Sequence, residues 1–123
     1  MPVRSLNSSV LKWPDRSEVD RAVRRWAEEE TKRRTDILRL GYFGWYARGD
    51  WGFGSDLDLI TVVDETDLRF ERRAVDWRIE HLPVSSDILV YTVDEWQRLL
   101  SEASRFARMF KSEVVWIYDR TKR

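Results

Sequence analysis

The chain has 123 residues, enough for one domain with a single core and too few for a catalytic domain plus a separate substrate domain. Basic and acidic residues balance at 22 each, which argues against a broad nucleic-acid surface. No apolar run approaches the ~20 residues of a membrane span, and the start from Met1 to Asn7 lacks an apolar signal core, so the reading is cytoplasmic. With no cysteine and His81 as the one histidine, a thiolate or histidine metal site is excluded, and any metal has to be held by carboxylates.

Residues 1–14 are polar and without period, and read as an extended lead-in. Ser17 to Asp20 has the spacing of a capping box, and Val19, Ala22, Val23, Trp26 and Ala27 then recur at helical intervals, predicting an amphipathic helix that ends near Arg34. Its other face, with Arg21, Arg24, Arg25, Glu28 and Lys32, reads as solvated. Ile37 to Phe43 predicts a strand, and Leu57 to Val63 a nearly continuous apolar strand of the kind covered on both faces. Between Asp64 and Ile79 two incomplete helical stripes overlap, predicting a helix or an irregular helical crossover. Asp87 to Tyr91 is a third strand. Thr92 and Glu95 form a second capping-box pattern, and the stripe from Trp96 through Ala103 to Phe110 predicts one long helix. Val114 to Tyr118 closes the chain as a short strand before a charged tail. The alternation gives an α/β (α+β) single domain: a mixed β-sheet with helices packed mainly on one face.

The most informative stretch is Gly41 to Val63. All five glycines of the protein lie within it, before the pair Asp56 and Asp58. Glycine reaches positive φ and permits close approach of a ligand to the backbone, so this connection is one in which the backbone is shaped. Side chains alternate along a strand, which turns Asp56 and Asp58 to one side with their backbones roughly 6 to 7 Å apart. Two such anions call for a cation, and hard oxygen ligands beside a glycine loop able to hold phosphate suit Mg²⁺ with a nucleotide.

Gly44-Trp45, then the ten residues Tyr46 to Ser55, then Asp56-Leu57-Asp58, resembles the signature of the minimal nucleotidyltransferases of the DNA polymerase β superfamily: Gly-Ser, ten residues, Asp-x-Asp, and a later third Asp. The chain departs from that pattern at Trp45, where the family has Ser. The resemblance implies a nucleotidyltransferase-like fold and makes Asp87 the third carboxylate. It implies that Asp56, Asp58 and Asp87 are the catalytic, metal-ligating set for two Mg²⁺ ions. Gly44, Trp45, Arg48 and Ser55 would line the phosphate site of ATP or another NTP. The implied reaction moves a nucleoside monophosphate, AMP from ATP, to a hydroxyl acceptor. The implied partner is a HEPN-type ribonuclease toxin, with this chain as its antitoxin modifying a tyrosine; homo-oligomers stay open. A second reading is a catalytically weakened binding module that neutralises a partner by contact, for which Trp45 is the reason. A sugar transferase using Asp-x-Asp is disfavoured because the chain is short for a two-lobed architecture. Trp51, in the glycine loop, is the candidate for an exposed aromatic contact with the partner.

Overall fold

The computed structural model describes residues 13–50, 52 and 54–121. Trp51 and most of the lead-in therefore lie outside the described residues. Helix α1 spans Arg16–Arg33 and is followed by strand β1 (Ile37–Phe43), the one-turn α2 (Trp45–Arg48) and strand β2 (Leu57–Val63). Two 3-10 segments, Phe70–Asp76 and Ile79–His81, lead to β3 (Ser86–Thr92), α3 (Val93–Ser101), α4 (Arg105–Glu113) and β4 (Val115–Asp119).

The four strands form one sheet in the order β3-β2-β1-β4. β1 is antiparallel to both β2 and β4, whereas β2 and β3 run parallel. Parallel neighbours need a crossover, which the 3-10 segments supply. That region is the irregular alternative read from the sequence, and one side chain ties it to β3 and α3. Arg73, 8% exposed, donates through Nε to the Leu68 carbonyl at 2.9 Å and through Nη1 to the Val90 carbonyl at 2.9 Å. Its Nη1 and Nη2 also reach the two Glu95 carboxylate oxygens at 2.6 and 3.1 Å.

The cap of helix α1 lies two residues earlier than expected. Asp15, in extended conformation after Pro14, accepts from the Glu18 N–H at 2.9 Å, and Glu18 returns the bond to the Asp15 N–H at 3.1 Å. The capping box is therefore Asp15 with Glu18. The Ser17 to Asp20 reading is corrected because an equally good pair lies just upstream. The second box, Thr92 with Glu95, stands as expected.

The predicted long helix over Trp96 to Phe110 is two helices. α3 ends at Ser101, and Ser104 caps α4 by accepting from the Ala107 N–H at 3.1 Å. A serine hydroxyl that satisfies a free N–H competes with continuing the helix, which leaves Ala103 exposed rather than on the apolar stripe.

The mixed α/β sheet with helices is the expected class, and the placement of the helices refines it. Val19, Val23, Trp26 and Ala27 of α1 pack with Leu40, Tyr42, Leu57, Leu59, Ile88 and Val90 on one face. On the other face, Ile60 and Val62 pack with Trp96 of α3 and Phe110 of α4. β2 thus reads as buried residues on both sides because it is covered on both sides. Phe110, 2% exposed, meets Phe43, Tyr91 and Trp96 with ring centroids 5.2, 6.4 and 5.6 Å away. Truncation to alanine there should cost about 3 to 5 kcal/mol and loosen α4 from the sheet.

Candidate active site

The alternation of β2 sends Leu57 and Leu59 into the α1 core and leaves Asp58 on the face of Ile60 and Val62, the side of α3 and α4. Asp87 is the register partner of Asp58 on the parallel strand β3. Neighbouring strands lie about 4.8 Å apart, so the two carboxylates start side by side. The third strand does lie next to the second, the condition on which the role of Asp87 depends. Asp56 comes two residues before Asp58, just outside the strand, and both Asp56 and Asp87 are exposed.

Asp58 feels all of this. Partial burial pushes its carboxyl above the ordinary aspartate value, and the charges of Asp87, Asp56 and Glu113 push it further, with Arg48 opposing them. Desolvation and like charge both disfavour the anion, and a bound cation would reverse both. Among the described residues, no three carboxylate or histidine groups are gathered closely enough to make a finished metal cage. The acidic residues are neighbours of hard-oxygen chemistry, suited to Mg²⁺ rather than to a soft metal.

Gly44 binds the two halves of the motif together. It has φ 79°, and a Cβ placed on it would collide with the Asp58 carboxylate, so any larger residue would displace the very group the motif presents. Its own N–H donates to Glu113 Oε2 at 2.9 Å. α2 that follows is a single turn, with Arg48 N–H donating to the Gly44 carbonyl at 3.0 Å. Arg48 Nη1 lies 3.2 Å from Glu113 Oε2 and its Nε 3.3 Å from Asp50. Its guanidinium also sits 5.0 Å from the centre of the Trp45 ring. Trp45 is 50% exposed, so the indole leans outward beside Arg48. Ser55 closes the glycine loop: its Oγ accepts from the Gly52 N–H at 2.7 Å and its own N–H donates to the Gly52 carbonyl at 2.9 Å.

Asp58, Asp87, Phe43 and Leu89 border a cleft of about 380 Å³. A larger hollow of about 500 Å³ runs along α1 between Glu18, Arg25, Trp26 and Pro83, and none of the motif residues line it. The motif carboxylates Asp58 and Asp87 open onto the smaller cleft. Glu113 is the site residue that sequence reasoning missed. It comes 69 residues after Gly44, at the end of a helix whose spacing signals only packing, and no local pattern announces the contact.

The family model described as a nucleotidyltransferase domain matches residues 24–117, more than half of the chain. No curated protein matches it in sequence. Among solved structures, a "putative nucleotidyltransferase from Sulfolobus solfataricus" superposes with a TM-score of 0.63 at 18% identity, covering 87% of this chain and 86% of that one. A chain of a toxin–antitoxin structure with AMP-PNP superposes with a TM-score of 0.55 at 12% identity, covering 80% of this chain and 74% of that one. At such identities the two structures show a shared fold.

Proposed function

This chain belongs to the nucleotidyltransferase domain family, an enzyme class that transfers nucleotidyl groups, and from that premise we propose that it moves AMP from ATP to a hydroxyl acceptor. The observation that carries the proposal is the meeting of Asp58 and Asp87 on adjacent parallel strands, with the Gly44 turn packed against Asp58. Asp56, Asp58 and Asp87 would hold divalent ions, Mg²⁺ by their hard oxygens. Bound there, the ions would neutralise triphosphate charge and acidify the acceptor hydroxyl.

The chain's own groups do the rest. The Gly44 N–H and the Arg48 guanidinium are donors beside the acidic cluster, where the β- and γ-phosphates would lie, and the Ser55 bonds keep the intervening loop closed. The acceptor oxygen bonds to the α-phosphorus, the bond to the bridging oxygen breaks, and pyrophosphate leaves. The outward lean of Trp45 supports transfer over a contact-only module, since the ring stands beside the turn instead of filling it.

The acceptor we propose is a tyrosine of a HEPN-type ribonuclease, the chain acting as its antitoxin. Support comes from the motif resemblance and from the likeness of fold to a chain of a toxin–antitoxin structure with AMP-PNP. Among the described residues no helix is long and apolar enough to cross a membrane, which is compatible with a cytoplasmic pairing. The test is incubation of the chain, Mg²⁺ and α-labelled ATP with the protein encoded beside it. Label should pass to that protein with wild type and not with Asp58→Asn. Intact neutralisation of the partner with no transfer of label would leave the binding module in place of the enzyme.

A further inference from the structure

Glu113 ends α4, and its carboxylate turns back into the site instead of toward solvent, its side chain being 16% exposed. Oε2 accepts from the Gly44 N–H at 2.9 Å and from Arg48 Nη1 at 3.2 Å, while Oε1 lies 3.3 Å from the same Nη1. Between them the two carboxylate oxygens engage the Gly44 N–H and Arg48 Nη1, the donors that the nucleotide reading assigns to phosphate. Phe110, buried among aromatic rings one helical turn earlier, holds α4 against the sheet and so holds the carboxylate in place.

We propose that Glu113 is an internal anion seated on the phosphate donors, and that an incoming nucleotide must displace it, which makes Glu113 a residue that sets nucleotide affinity. The inference rests on the nucleotide-binding reading of the site. It follows from counting donors. The Gly44 turn offers one N–H and Arg48 turns its Nη1 to the same place, and a carboxylate bound to both leaves a phosphate to compete for them. The exchange replaces one anion by another, so it brings no change in the number of negative groups on these donors. In the resting chain the same contact satisfies an otherwise free Gly44 N–H.

The experiment is calorimetry in Mg²⁺ with a non-hydrolysable ATP analogue and, separately, with inorganic tripolyphosphate, on wild type, Glu113→Gln, Glu102→Gln and Asp58→Asn. Glu102 is an exposed carboxylate after α3 and controls for a general loss of charge. Because Arg48 is partly solvated, the expected gain is moderate: Glu113→Gln should bind both ligands about threefold to tenfold tighter, and Glu102→Gln should match wild type. Thermal melts establish that each variant is folded. Should Glu113→Gln not fold, Glu113→Asp, which withdraws the carboxylate by one methylene, should tighten binding in the same direction. Wild-type or weaker affinity in a folded variant, with binding still lost in Asp58→Asn, would overturn the internal anion and leave the nucleotide site standing. Tightening for the ATP analogue without tightening for tripolyphosphate would also overturn it, since the effect would then lie away from the phosphates. Failure of every form to bind either ligand would remove the nucleotide reading and this inference with it.

Discussion

The two ends of the β2–β3 pair treat carboxylates in opposite ways. Where the strands begin, Asp56, Asp58 and Asp87 stand near one another with Glu113 behind them, and Asp58 is held above its ordinary pKa by burial and by its neighbours' charge. Where β3 ends, Glu95 accepts from Nη1 and Nη2 of buried Arg73 and from the Thr92 N–H, and its carboxyl falls to about 2, chiefly through the Arg73 hydrogen bond. One end spends stability on an arrangement that a cation would relieve; the other is satisfied within the chain. Strain of this kind at one place and complete pairing at another is how a small fold keeps a reactive edge without losing its sheet.

Of the two ends, the satisfied one should respond more strongly in stability when it is broken. Glu95→Gln leaves Arg73 buried without its counter-charge and with one of its four acceptors replaced by an NH₂ donor. Allowing for Glu95 being 34% exposed, the loss should be about 2 to 3 kcal/mol, read as a lower urea midpoint. The same pair sets an acid limit. The folded pKa of Glu95 lies below its unfolded value of 4.5, so its contribution is present above about 4.5 and is lost as pH falls toward about 2. Unfolding measured across that interval should show the slope in wild type and a weaker one in Glu95→Gln.

At the acidic end a smaller effect is expected from Trp45→Ser, which removes the ring beside Arg48 and supplies a hydroxyl. One neutral hydrogen bond is about 0.5 to 1.5 kcal/mol, so transfer of label should rise by no more than about tenfold. An unchanged or lower rate would make the indole a useful part of the site. The smallest effect is on stability without metal. Asp58→Asn relieves repulsion at a group still partly solvated, and should stabilise the fold by a few tenths of a kcal/mol at neutral pH. The sign follows from the raised pKa: the folded state holds the proton longer than the unfolded one, so this carboxylate disfavours folding increasingly as pH rises above 3.8. A melt lower than wild type at neutral pH would contradict the strained reading of this end.

How much of this could be read in the sequence follows the range of the interactions. β1 and β2 announce themselves by apolar runs of the right length, and the Thr92–Glu95 box by a spacing of three. The glycine turn and the Asp56, Asp58 pair are also local, and so were legible. The crossover after Asp64 is legible only as one of two alternatives, because its conformation depends on Arg73 reaching Glu95, 22 residues on. The break between α3 and α4 was hidden because Ala103 and Phe106 continue the apolar stripe, although Phe106 ends 64% exposed. Glu113 was invisible for the reason that left the crossover open. The contact that gives it meaning is made by folding, and nothing beside it in the chain points to Gly44.

The account depends most on the acidic end being a metal–nucleotide site. Calorimetry of wild type and Asp58→Asn with Mg²⁺ and a non-hydrolysable ATP analogue tests this directly, with circular dichroism to verify that both are folded. Wild type should bind only when Mg²⁺ is present, and Asp58→Asn should lose that binding while keeping its fold. Equal binding by the two proteins, or binding by wild type that is indifferent to Mg²⁺, would contradict it.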